Sequence, residues 1–272
     1  MVPVSSIIVM ALNALLGIAI PVLLAWWMVR KRNASLSAIL IGAATFFVFA
    51  LVLESLVHQL VLNGPHGAAI QGNTLYYALY GGLMAGLFEE TGRFLSMKFL
   101  LKKEPSTPLP GVAYGIGHGG AEMILLFGLS MFSALVMSVM VNSGQAETLL
   151  SQVPAEAQDQ LAAQFEQYKT AGAGSYLFGL MERFSALLLH LGLSVLVWAA
   201  ARRGGKWCWL FPAAILLHAL VDGLAVVLMK SVGTASLELI LLAVALAVAA
   251  LGWLVARKAF PKEAAEENKT GA

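Results

Sequence analysis

The sequence predicts an all-α polytopic membrane protein of about seven transmembrane helices, with the N-terminus outside and the C-terminus cytoplasmic. Three observations predict it. Of 272 residues, 59% are hydrophobic and 12% charged, with a mean hydropathy of +0.80; soluble domains carry about 25% charged residues. The apolar residues gather into seven runs, each long enough for a crossing of roughly 20 residues. Lys and Arg concentrate in alternate breaks between those runs.

The runs are 5–29, 36–62, 74–100, 111–141, 175–200, 207–229 and 235–256. The first lacks a basic n-region and is closed by Arg30, Lys31 and Arg32, so it reads as an anchor and not as a cleavable signal. The second ends at NGPHG (63–67), the third at KKEPSTPLP (102–110), and the fourth at a long polar stretch, 142–174. ARRGGK (201–206) separates the fifth from the sixth, and Arg257 and Lys258 close the seventh. Placing 30–35 in the cytoplasm puts thirteen Lys and Arg there, against Lys169 and Lys230 outside. The positive-inside rule then fixes the orientation.

One transmembrane domain over 1–260 is expected, with its chemistry in 75–225. In the extracytoplasmic loop 142–174, Leu150, Val153, Ala157, Leu161, Phe165 and Tyr168 recur at spacings of three and four. That pattern predicts an amphipathic helix on the outer leaflet. The charged tail, 261–272, reads as disordered. The single Cys208 excludes an internal disulfide and a Cys-based metal cage. The basic loops account for a pI near 8.7, so the bilayer is the expected partner and no nucleic acid is inferred.

A charge at the centre of a membrane helix costs about 2.5–3.5 kcal/mol on insertion scales, so such residues point to function. Glu89, His118, His190 and His218 come from four separate runs. Counted from the cytoplasmic ends at 1.5 Å per residue, they fall in one layer roughly 10–17 Å deep. Glu89 and Glu90 precede Arg93 by four and three residues, so Arg93 can hold one carboxylate squarely. His118–Glu122 and His218–Asp222 are i,i+4 pairs, in which an acid can fix a ring tautomer. Glu182 and His190 lie two turns apart, with Arg183 beside Glu182. Glu54 and His58, near the outer end of the second run, read as a satisfied interfacial pair. Gly115, Gly117, Gly119 and Gly120 surround His118, and read as giving a substrate backbone access to it.

A buried carboxylate beside imidazoles can activate water as a general base, with a second histidine stabilising an oxyanion. No cofactor is favoured. The same groups could bind zinc, with His118, His190 and His218 as the metal candidates. HExxH is absent, and no serine has the context of a nucleophile elbow.

EETGR (89–93), YGIGHGGAE (114–122), ERFSALLLH (182–190) and HALVD (218–222) resemble the YhfC family of intramembrane proteases, related to the CAAX-protease and bacteriocin-processing superfamily. The resemblance spans about 75–225. It differs from the CAAX pattern in an arginine one residue closer to the paired glutamates and in Tyr114, where phenylalanine is usual. The resemblance implies an intramembrane endopeptidase of a prokaryotic cell membrane acting on a peptide or protein substrate. Glu89 or Glu90 with His118 would activate water, and His218 with Asp222 would form the oxyanion site. Arg93, Glu122, Glu182 and His190 would support them. A glutamate-based mechanism is favoured over a zinc-dependent one, because adjacent glutamates and an arginine are an odd zinc shell. A proton-coupled transporter is the rival class.

Overall fold

In the computed structural model residues 1–261 are described, so the predicted tail lies outside the described residues except for Pro261. The helices are α1 (Val4–Arg32), α2 (Leu36–Leu62), α3 (Gly67–Gly72), α4 (74–100), α5 (Leu109–Asn142), α6 (Ala146–Ser151), α7 (Ala155–Thr170), α8 (Ala173–Arg203), α9 (Leu210–Met229) and α10 (Thr234–Ala259). No strand occurs among the described residues. Among the described residues six helices are long and apolar enough to cross a membrane: α1, α2, α5, α8, α10 and α9 with its leading turn from Gly205. The seventh predicted span, α4, has the length but carries Glu89, Glu90, Arg93 and Lys98.

The ends follow local chemistry. Asn33 takes the left-handed conformation (φ 52°) that closes α1, and Ser35 caps α2 by accepting from the Ala38 amide. The Asn73 side chain accepts from the amides of Leu75 and Tyr76 to start α4. Gly204 (φ 61°) ends α8.

Helix α8 is the hub. Its residues from Leu187 to Ala200 are mostly buried, and it packs against α5 on one side and α10 on the other. Two further pairs, α4 with α9 and α2 with α5, flank it. Without a hydrophobic force between helices in lipid, such pairs depend on close packing at small residues. A Cβ on Gly117 of α5 would lie 1.9 Å from the Ile39 carbonyl oxygen of α2, and one on Gly82 of α4 would lie 2.3 Å from that of Ala219 in α9. At the basic end, Arg202 donates to the carbonyls of Lys102 and Glu104, and the Trp198 indole donates to Thr107 at 2.6 Å.

The loop 142–174 forms α6 and α7. Phe165 and Tyr168 are buried against Val2, Met10, Ala134 and Val141. The apolar stripe predicted to face the outer leaflet therefore covers the ends of α1 and α5. That surface offers Phe165 and Tyr168 a close-packed seat that lipid does not.

Turns of π-helix interrupt α2 at Phe47–Glu54, α4 at Ser96–Leu100 and α5 at Met123–Gly128. They begin one residue after Phe46, three after Arg93 and one after Glu122. Such widened turns are frequent at functional sites.

Candidate active site

Helix α4 presents Glu89, Glu90 and Arg93, all buried. Arg93 Nη1 donates to both oxygens of Glu90 at 2.8 Å, and Glu90 Oε1 also accepts from His218 Nδ1 at 2.8 Å. Both Glu90 oxygens are thus occupied. Glu89 turns the other way: its Oε2 meets His118 Nε2 of α5 at 2.8 Å and lies 4.0 Å from His190 Nε2 of α8.

The three imidazoles form a row. The rings of His118 and His190 are 4.8 Å apart and those of His190 and His218 5.3 Å. Phe46 stands edge-on to His118 at 5.3 Å, and Tyr114 stacks against it at 6.0 Å. The four residues predicted to share one layer thus meet in one cluster.

Proton positions follow from the partners. Arginine only donates, and Arg93 Nη2 lies 2.9 Å from His190 Nδ1. His190 therefore accepts there and carries its proton on Nε2, facing the carboxylates. The Glu90 carboxylate, held by Arg93, places a proton on His218 Nδ1. His218 Nε2 faces Asp222 Oδ2 at 3.5 Å.

Glu122 does not pair with His118, as its spacing suggested. Its Oε2 lies 2.5 Å from His190 Nε2, and its Oε1 accepts from Arg183 at 2.6 Å. Arg183 also holds Glu182. The reason is how the helix is turned: His118 points at α4, while Glu122 meets α8, against which Gly115 and Gly119 of the same helix pack. A cavity of about 120 Å³ is lined by Glu89, Glu122, Glu182, Arg183, His190, His218 and Asp222, together with apolar residues of α8, α9 and α10.

The glycines beside His118 leave no approach to it. Gly115 abuts Ser194, Gly117 abuts Ile39, Gly119 abuts His190 and Gly120 abuts Pro21. They serve helix packing. Glu54 and His58 pair at 3.1 Å, with the Tyr80 hydroxyl 2.9 Å from the other ring nitrogen. Phe46 is a neighbour of the site that no sequence signal marks, being one apolar residue in an apolar run.

A carboxylate and imidazoles are donors that zinc accepts. Glu89 with the rings of His118 and His190 offers three ligand atoms within 4.8 Å of one another. Bonds of about 2.0–2.1 Å in a tetrahedron place donors about 3.3 Å apart; the 2.8 and 4.0 Å separations from Glu89 Oε2 bracket that value. Glu122 Oε2 approaches His190 without an aligned hydrogen bond, and His118 Nδ1 is buried without a partner. The set fits zinc in donor type and spacing, provided that His118 and His190 carry no proton on Nε2.

A family model described as YhfC intramembrane metalloprotease matches residues 16–247. The uncharacterized membrane protein YhfC of Bacillus subtilis (strain 168) is 37% identical over 260 residues, 95% of this chain and 98% of that one. No solved structure matches the chain. With the family model running from α1 to α10 through every helix of the His and Glu cluster, this multi-pass membrane protein belongs to the YhfC family.

Proposed function

We propose that this chain is an intramembrane endopeptidase in which Glu89 and His118 activate water, a mechanism of the kind found in the CAAX proteases that it resembles. The observation that carries the reading is the contact between Glu89 Oε2 and His118 Nε2, 2.8 Å long, joining two helices beside a cavity that Glu89 lines. About 120 Å³ has room for several waters, each needing roughly 10–15 Å³.

Glu89 Oε2 takes a proton from water while His118 holds the carboxylate in place. The water oxygen bonds to the substrate carbonyl carbon, and His218, as an imidazolium with Glu90 at Nδ1 and Asp222 beside Nε2, offers its Nε2–H to the oxygen that gains charge. When the C–N bond breaks, Glu89 returns its proton to the leaving amine. Glu90 is a positioning residue: gripped by Arg93, it keeps the His218 ring oriented.

The donor set supports a second, zinc-dependent reading. There Glu89, His118 and His190 hold the ion, which supplies Lewis acidity and a lowered pKa for bound water. In that reading Glu122 lies beside His190 to take up the proton that its Nε2 releases.

The test is a cleavage assay in liposomes. Membrane-spanning peptides are incubated with wild type, Glu89→Gln and His118→Ala, and the products are read by mass spectrometry. Cleavage is expected from wild type alone. Equal cleavage by Glu89→Gln would sink the assignment.

A further inference from the structure

The cavity beside Glu89 becomes more exposed away from the imidazoles. His190 and His218 are almost fully buried, whereas Asp222 and Glu182 expose 40% and 43% of their side chains. The exposed part lies toward the ends of α8 and α10 remote from the basic loops, the outer side by the positive-inside rule. Leu241 and Ala245 of α10 line the cavity, and Glu238 continues their stripe one turn further out.

Glu238 is 5% exposed, and its Oε2 has no hydrogen-bond partner. Glu182 stands level with it, for the two lie equally far from the basic ends of α8 and α10, which pack together. The charged side chains close enough to act on Glu238 are Glu182 and Arg183. Arg183 is already shared by Glu122 and Glu182. Lys169 donates to Glu166 and Lys230 to Thr74, so neither outer lysine supplies the counter-charge. A buried carboxylate without a partner is costly, and a cation from outside the chain removes that cost.

We infer that Glu238 and Glu182 form a subsite for a lysine or arginine side chain of the peptide substrate, on the outer side of the bond that is cut. The inference rests on the endopeptidase reading above. Glu182 and His190 lie two turns apart, about 11 Å, which an extended peptide spans in about three residues at roughly 3.3 Å each. The cation therefore belongs about three residues from the scissile bond. Outer flanks of membrane spans are poor in lysine and arginine, so a basic residue there sets a substrate apart from most other spans.

The experiment presents membrane-spanning peptides to the full chain in liposomes. They differ only in carrying lysine, glutamine or glutamate about three residues to the outer side of the bond that wild type cuts. The lysine peptide should show a KM about tenfold below that of the glutamine peptide, the effect of one hydrogen bond to a charged group. Glu238→Gln should erase the difference, leave kcat for the glutamine peptide unchanged and melt no lower than wild type. Glu238→Lys should turn the preference toward the glutamate peptide, which a structural role for Glu238 would not do. Equal KM values for lysine and glutamine in wild type would overturn the inference and leave the endopeptidase reading standing. If wild type cuts none of the peptides, that reading falls, and crosslinking to a series with lysine at successive positions decides the subsite. A maximum abolished by Glu238→Gln upholds it, and a flat profile overturns it. A melting point that calcium raises in wild type and not in Glu238→Gln would assign the carboxylates to a free cation, and overturn it likewise.

Discussion

Arg93 ties Glu90 to His190: one terminal nitrogen lies 2.8 Å from both Glu90 oxygens, and the other lies 2.9 Å from His190 Nδ1. The guanidinium is fully buried, so it compensates a charge that water cannot reach. Removing one partner of a buried pair costs about 3–5 kcal/mol. Arg93→Met should therefore lose most folded protein. Arg93→Lys keeps the charge but not the fork, and should fold with a lowered melting temperature. Thermal unfolding in detergent reads both. A melting point for Arg93→Met equal to wild type would show that Glu90 does not need the counter-charge.

The adjacent glutamates should separate in the same assays. Glu89→Gln loses one contact beside a cavity and should keep its stability within about 1 kcal/mol, while cleavage disappears. Glu90→Gln leaves Arg93 buried without an anion and should cost about 3–5 kcal/mol. The reverse pattern would exchange their roles.

Metal analysis divides the two readings of the site. If zinc is held by Glu89, His118 and His190, purified protein carries about one ion per chain, and His118→Ala lacks it. A chelator then stops cleavage, and added zinc restores it. Cleavage that persists in a metal-free preparation identifies the glutamate-based route.

Packing at Gly117 can be tested apart from chemistry. A valine there drives Cβ into the Ile39 carbonyl, which belongs to backbone and cannot swing away. Overpacking of this kind costs typically 1–3 kcal/mol. Gly117→Val should lower the melting point clearly, whereas Gly144→Ala, with nothing nearby in the loop before α6, should lower it far less despite its φ of 80°. Equal losses would mean that α2 and α5 do not need this contact.

Burial against α1 and α5 pushes the Tyr168 phenol above its ordinary value of 10.0. A raised acid pKa in the fold means that the contribution is complete below pH 10 and fades as pH climbs past it. Susceptibility of the Ser143–Gly144 turn to protease should rise above that pH. Tyr168→Phe should abolish this pH-dependent part, and an unchanged rise in the variant would assign it to another group.

Helix count and bounds were legible from run length alone, because a bilayer demands a length and little else. α2 runs Leu36–Leu62, the limits of the predicted run, and α5 overshoots its run by two residues at one end and one at the other. The convergence of Glu89, His118, His190 and His218 was legible through depth. Partner choice was not. Glu122 meets His190 and Arg183 because glycine contacts and a π turn set how α5 is rotated and crossed, and spacing within one helix carries none of that. The same limit hid the seat of Phe165 and Tyr168, whose periodicity fits lipid and protein equally.

The four charges of α4 also bear on biosynthesis. A helix with Glu89, Glu90, Arg93 and Lys98 is a poor stop for a translocation channel, since each charge near the bilayer centre costs about 2.5–3.5 kcal/mol. His218, which Glu90 holds, and Ala219, which Gly82 meets, belong to α9, more than 110 residues later in the chain. During synthesis α4 is committed to the membrane before its partner exists. Its residence therefore depends on waiting at the channel, or on temporary shelter against α2, until α9 emerges. Nascent chains halted before residue 210 should leave a cysteine placed in α4 open to a water-soluble thiol reagent, and full-length chains should shield it.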